Sequence, residues 1–262
     1  MIVRKTVTIA LLLSVFILPV VVRVFALDTF IVKGHSMEPT LHNGQRIWVN
    51  KMLMGPRIYT SFDFDSTELH CVRLCGLRKV RTGDMVVFNH IYGGRPGKIG
   101  FRINYVFAKR CLGCPGDSVI IKDGRYVSPV GAVDAMPAEC KEILSDTPDS
   151  VIAKCGIQLN AMRINRAGWT IKNFGPLYVP ARGDCIKLDN TTARSYYRVI
   201  EYETGIHPYL KGEGLLIGDK VVTEYTFCHD YYFLAGDNAL SSNDSRYFGL
   251  VPDDYIVGII VK

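Results

Sequence analysis

The sequence predicts a mostly β protein: an antiparallel sheet or barrel-like core, interrupted by an inserted second lobe and preceded by one apolar helix. Three observations predict it. Short runs rich in Val, Ile, Tyr and Phe recur between turns of Gly, Pro, Asp and Asn, the composition of strands and their connections. Amphipathic helical repeats are hard to find after residue 30, apart from a short stretch around Asp134 to Leu144. One uncharged run, Thr6 to Val22, stands apart near the N-terminus.

That run has 17 residues and as a helix spans roughly 25 Å, slightly short of a bilayer core. Carried past Arg23 to Leu27 it is long enough, with the Arg23 head reaching out to the interface. Arg4 and Lys5 precede it, so the bias of basic residues toward the cytoplasm puts the N-terminus inside and the body of the chain outside. A rival reading is a removable signal peptide cut after Ala26, with Val24 and Ala26 at −3 and −1. The charged Arg23 beside that point favours a retained anchor.

Strands are predicted at Arg46 to Val49, Asp84 to Phe88, Val106 to Leu112, Ser118 to Ile121, Tyr196 to Tyr202, Lys220 to Thr226, Tyr231 to Ala235 and Ile256 to Val261. Turns fall at Thr82-Gly83-Asp84, Gly93 to Gly97, Pro115-Gly116-Asp117, Gly212-Glu213-Gly214 and Gly218-Asp219. The stretch from Ser118 to Cys228 is less patterned and holds four of the eight cysteines. The organisation is therefore an N-terminal tip and anchor over residues 1–27, a β core from 28–117 and 229–262, and an inserted lobe over 118–228.

Composition excludes some classes. The formal charge is +6, and three of those charges are Arg4, Lys5 and Arg23. The remainder carries no basic stripe, so nucleic acid is not an expected partner. Eight cysteines fit an oxidising compartment without requiring one. Cys71, Cys75, Cys111 and Cys114 could be read as a zinc set, but the knuckle glycines are missing. Cys111-x2-Cys114 lacks the βαβ context of a redox pair. Cys140 and Cys155 are the pair chosen for a loop-closing disulfide. No metal and no cofactor are expected. Arg182-Gly183-Asp184 spells an adhesion tripeptide but reads as a turn into the strand at Cys185.

The chemistry centres on Ser36, in Gly34-His35-Ser36-Met37-Glu38-Pro39-Thr40-Leu41. Glycine on one side and proline on the other constrain the backbone around it. A nucleophilic serine needs a base, and Lys109 is placed for the role. A free lysine has a pKa of about 10.4 and is protonated at neutral pH, so a lysine base must be desolvated. Lowering it by about three units takes roughly 4 kcal/mol of differential interaction. Lys109 lies in Tyr105-Val106-Phe107-Ala108-Lys109, where a strand puts Phe107 and Lys109 on one face. The alternative is a solvated strand residue. Other schemes lack support: there is no His-Glu-x-x-His, no Gly-x-Ser-x-Gly and no Walker loop. His35 adjoins Ser36, but neighbouring extended side chains point apart. Asp237 and Asp244 sit in a turn-rich loop where Asp is expected anyway.

Four segments together resemble the type I signal peptidase family, membrane-bound serine proteases that remove signal peptides. They are Ser36 to Leu41, Thr82 to Phe88, Lys109 to Asp117, and Gly236-Asp237-Asn238 followed by Ser242 to Gly249. Their order and spacing match, as does the anchor ahead of the first, and they cover about a quarter of the chain.

The resemblance implies a signal-peptidase-type β core in which Ser36 attacks the scissile carbonyl and Lys109 is the general base. Ser242 would bond and orient the lysine. Asp237, Asp244 and Arg246 would brace the site as an ion-pair network. The Ser36 N–H would be one oxyanion donor; the position of a second donor in one branch of the family is Gly34 here. Ala239 and Ser241 also depart from the family pattern. Val32, Met37, Leu41 and Phe107 would line a shallow groove preferring small residues at −1 and −3. Partners would be exported preproteins, the lipid bilayer and the secretion translocon. The location would be the cytoplasmic membrane, single-pass, with the catalytic domain on the extracytoplasmic side. Two alternatives stand beside this: a Ser-Lys self-cleaving regulator, opposed by the 35 apolar-rich residues ahead of Ser36, and a non-catalytic tethered binding protein, opposed by the presence of both Ser36 and Lys109.

Overall fold

In a computed structural model the described residues are 15–61, 63, 66–91, 99–162, 168–212 and 214–261. Seven strands form one antiparallel sheet. Its order is Leu27–Ile31, Arg46–Asn50, Ile256–Val261, Met85–Asn89, Val106–Gly113, Tyr231–Ala235 and Val251–Pro252. Chain ends and middle are thus interleaved, and the C-terminal strand lies between two N-terminal ones. Bulges interrupt the register at Phe233/Leu234 and at Ile256/Gly258, and such bulges add twist. Among the described residues no hydrogen-bonded pairing closes this sheet into a barrel.

The middle strand Met85–Asn89 and the next-to-edge strand Tyr231–Ala235 are buried at every position. Both faces are covered, so apolar residues occur without alternation. Leu112, Tyr231 and Phe233 face one core, shared with Val119, Ile121, Phe174 and the rest of the 118–228 stretch. Cys111, Tyr232 and Leu234 face the other, with Phe88 and Tyr255. Each such aromatic or aliphatic side chain contributes about 1.5–3 kcal/mol when fully buried. A third cluster, Val32, Met37, Leu41, Val49 and Met85, lies under the Ser36 loop.

Within 118–228, Ser118–Lys122 pairs with Arg125–Ser128 and Phe174–Tyr178. Tyr209–Lys211, Gly214–Ile217 and Lys220–Val222 make a small meander, and Glu224–Thr226 pairs with Cys185–Lys187. The stretch Lys220 to Thr226, expected as one strand, is therefore two, divided at Thr223, whose carbonyl accepts from Leu188 N–H.

The strand expected at Tyr196 to Tyr202 is instead part of a helix, Asn190–Thr204. Its Tyr and Val content reads as β, yet its end signals are helical. Asp189 and Thr192 form a reciprocal capping box, and Gly205 closes the C-terminus at φ +71°, as such caps require. Ala193, Tyr196, Val199 and Ile200 are its buried apolar stripe, at helical spacing.

The expected anchor falls partly outside the described residues. Residues 15–25 form a helix, with Val15, Phe16 and Leu18 exposed. It stops before Leu27, which begins a strand, so the extension of the apolar helix to that residue is corrected. Among the described residues no helix is long and apolar enough to cross a membrane. All eight cysteines are thiols. The Cys140–Cys155 bridge does not form: Cys140 is buried in the core while Cys155 is exposed beyond a short helix.

Candidate active site

Ser36 sits on a tight loop anchored from below. Met37 and Leu41 are each 2% exposed and plug the core beneath the loop, while Leu41 N–H donates to the Met37 carbonyl at 2.9 Å. The loop starts at Gly34, with φ +86°, a region where a side chain is strained. The Gly34 N–H donates to Asn43 Oδ1 at 3.0 Å. His35 Nδ1 faces Glu38 at 2.8 Å, on the exposed side, and takes no part in the serine's bonding. The Ser36 carbonyl accepts from Asn238 N–H at 3.1 Å, which stitches this loop to the one after Tyr231–Ala235.

Lys109 reaches Ser36 from the strand Val106–Gly113, with Nζ 2.5 Å from Oγ. The lysine is 1% exposed and lies over the Phe107 ring at 5.7 Å, on the face that strand alternation assigns to both. Burial is the main cause that brings its pKa down to about 8. The nearby Asp244 and Asp237 oppose that shift, and Arg246 reinforces it. A dry wall explains the burial. His90 is 6% exposed and packs on Phe107 at 4.5 Å and edge-on to Phe248 at 5.8 Å. Its own pKa is pushed to about 4, chiefly by burial and then by Lys109, so it is neutral at pH 7.

Two carboxylates brace the site, each with its own arginine. Asp244 accepts from Arg246 Nε at 2.9 Å and Nη2 at 2.7 Å, from Gly236 N–H at 3.0 Å, and from the Ser242 hydroxyl at 2.7 Å. Burial pushes the Asp244 carboxyl up, but Arg246 and these donors outweigh it and hold it below the usual range. Asp237 accepts from Arg110 Nε and Nη2, both at 2.7 Å, and from the Thr40 hydroxyl at 2.5 Å. The bracing is therefore two separate forks rather than one network on Arg246. Arg110 and Thr40 are the members that sequence reasoning missed. Their signal was position: Arg110 follows Lys109, and strand alternation turns it to the opposite face.

Ser242 departs from its expected bond. Its hydroxyl donates to Asp244, and the lysine's hydrogen-bond partner is Ser36. A buried carboxylate is the stronger acceptor, so it accepts the hydroxyl's hydrogen bond and leaves the serine lone pairs free to accept. Gly236 lies between the two: a Cβ there would collide with the Ser242 hydroxyl and the Ser36 carbonyl oxygen. A cleft of about 360 Å³ opens beside Ser36, lined by Phe30, Val32, Met37, Val87, Tyr105 and Phe107 among others. Leu41 lies beneath it in the core and not on its wall. Among the described residues the Ser36 N–H donates no hydrogen bond. At Gly34 a Cβ would meet nothing within 4 Å.

A family model described as "Signal peptidase, peptidase S26" matches residues 3–137 and 206–261. The chain belongs to the signal peptidase S26 family. Its similarity to signal peptidase I T of Bacillus subtilis strain 168 is 26% identity over 255 residues, covering 97% of this chain and 79% of that one. Signal peptidase I P of Bacillus subtilis subsp. natto is 32% identical over 179 residues, 68% of this chain and 70% of that protein. A crystal structure of a signal peptidase I from Enterococcus faecalis V583 aligns at 16% identity over 70% of this chain and 97% of that chain, with a TM-score of 0.32. In this S26 peptidase the family match covers the Ser36 loop, the Lys109 strand and the Asp237–Arg246 loop, and it omits 138–205.

Proposed function

We propose that the chain is a membrane-anchored signal peptidase I, a serine endopeptidase that removes N-terminal signal peptides from exported preproteins, with Ser36 as nucleophile and Lys109 as general base. The observation that carries this reading is the 2.5 Å contact between Ser36 Oγ and a lysine that is 1% exposed. Neutral Lys109 takes the Ser36 hydroxyl proton as Oγ attacks the scissile carbonyl carbon. The oxyanion that forms accepts from the Ser36 N–H. The Lys109 ammonium then protonates the leaving amine, and the acyl-enzyme remains. Water, deprotonated by the same lysine, attacks the ester and releases the acid and Ser36. Ser242, tied to Asp244, offers its lone pairs to the ammonium and positions it. Asp237 with Arg110, and Asp244 with Arg246, hold the loops that carry these groups.

A preference for small side chains at −1 and −3 would be set by the cleft beside Ser36. Val32, Met37 and Phe107 bound it, and Leu41 stiffens its floor. Leu27–Ile31 is an outer strand of the sheet, so an extended substrate can add along it. An anchor at Thr6 to Val22 would hold this site at the outer face of the cytoplasmic membrane, beside the translocon, where precursors emerge. The 118–228 stretch is a lobe inserted into the catalytic core, and the 138–205 portion is its part peculiar to this chain relative to the family model.

The chain purified in detergent should cleave a model precursor after an Ala-x-Ala site. Ser36→Ala and Lys109→Ala should each abolish cleavage, and retained activity in either would refute the Ser-Lys mechanism.

A further inference from the structure

A second cleft, of about 230 Å³, lies away from Ser36 where the 15–25 helix meets the sheet. Arg23, Asp28, Lys51, Arg57 and Tyr59 line it. Three cations thus face one carboxylate. Asp28 is shared, accepting from Arg23 Nε and Lys51 Nζ, each at 2.9 Å. Lys51 also donates to the Arg23 carbonyl at 2.8 Å, which satisfies the C-terminal end of the helix.

Arg57 is the unusual member. It is 7% exposed, yet among the described residues no carboxylate forms a salt bridge with it. Its guanidinium donates to neutral acceptors, Asn89 Oδ1 at 2.8 Å and the Asp254 carbonyl at 2.9 Å. Directly opposite it in register stands Arg73, which donates to the carbonyls of Gly55, Asp253 and Ile256. The carboxylates of Asp253 and Asp254 face His229 instead. Buried cations are ordinarily paired. A like-charged cross-strand pair is destabilising on its own. The lining groups therefore leave a net excess of two positive charges around a cleft with room for a small anion.

We propose that this cleft takes the phosphate group of a phospholipid headgroup, with Arg23 and Lys51 as its donors and the Arg57 guanidinium, whose Nη groups are held by Asn89 and the Asp254 carbonyl, as a fixed positive charge behind them. A guanidinium grips a phosphate through two parallel N–H bonds, and an ammonium adds a point charge. The lipid source follows from the cleft's position. The helix that supplies Arg23 exposes Val15, Phe16, Ile17, Leu18 and Val20, an apolar surface for acyl chains beside the phosphate. The site would fix the depth and tilt of the chain at a bilayer independently of the chemistry at Ser36.

The test titrates the full chain in detergent with short-chain dihexanoyl phosphatidic acid, with inorganic phosphate and with dihexanoylglycerol, which lacks the phosphate. Binding is followed by ³¹P line width and calorimetry. Saturable binding of the phosphatidic acid is expected, tighter than that of inorganic phosphate. It should weaken by about tenfold in each of Lys51→Gln and Arg57→Gln, with cleavage of a soluble peptide unchanged. Arg23→Gln alters an exposed side chain and keeps the test available should Arg57→Gln fail to fold. Inorganic phosphate binding as tightly as the lipid would overturn the lipid assignment. Equal binding of dihexanoylglycerol, or unchanged titrations in Lys51→Gln and Arg23→Gln, would overturn the anion site.

Discussion

Replacing Lys109 by Met should destroy activity and, at neutral pH, stabilise the fold. Burial brings the lysine from its ordinary 10.5 to about 8. A native pKa below the unfolded one means that the native state holds the proton more weakly. Below about pH 8 both states carry the ammonium, and the native state bears the full penalty. Two and a half units correspond to about 3 kcal/mol. As pH rises from about 8 to 10.5 the native state loses its proton first, so native stability climbs and the penalty is gone at the upper end. Methionine has nearly the same length and no charge. It forfeits the bond to Ser36, worth about 1 kcal/mol, which leaves a net gain of about 2 kcal/mol at pH 7. Urea unfolding at pH 7 and at pH 10 measures this through midpoints taken at matched slopes. The variant should be the more stable at pH 7 and lose that advantage by pH 10. A difference that is the same at both pH values, or a variant less stable at pH 7, would refute the desolvated-lysine reasoning.

Three further outcomes follow from the geometry. The rate constant kcat/KM for a peptide substrate should rise with pH along a limb centred near 8, the value for Lys109, because only the neutral amine is a base; a limb near 6 would assign the base elsewhere. Gly236→Ala should cut kcat by at least about a hundredfold, since the added methyl pushes apart Ser36 and Ser242 and misplacement of this order is that costly; a mild effect on kcat in a folded variant would show that the loop tolerates the shift. Asp237→Asn should destabilise the protein by about 3 kcal/mol, because it leaves the Arg110 guanidinium buried without its carboxylate, and calorimetric unfolding would read it directly.

Much of the sheet was legible because strand signals are local. Tyr231–Ala235 and Ile256–Val261 occur with the limits that apolar content and turns assign. The turn at Arg182-Gly183-Asp184 was legible for the same reason: Asp184 accepts from Ala181 N–H at 2.7 Å and from Tyr178 at 2.6 Å, and so is committed to the turn. The helix Asn190–Thr204 was missed because Tyr and Val favour strands only as a weak prior, and packing of one stripe outweighed it. Its caps, Asp189 and Gly205, were readable and were the better guide.

The sequence by itself determined the candidates at the site: a constrained serine, a lysine among apolar neighbours, and a turn-rich loop carrying Asp237 and Asp244. It could not determine their protonation or their partners. Those depend on which face of a strand is dry and on which loops meet, both of which are long-range properties. Ser36 and Lys109 lie 73 residues apart, and only antiparallel pairing brings their elements together. Tertiary structure alone decided that Asp237 belongs to Arg110, that Ser242 donates to Asp244, and that Leu41 supports the cleft without lining it. Leu41 is placed by apolar packing, and the other two share a physical reason. A buried group takes the strongest partner within reach, and reach is set by the fold.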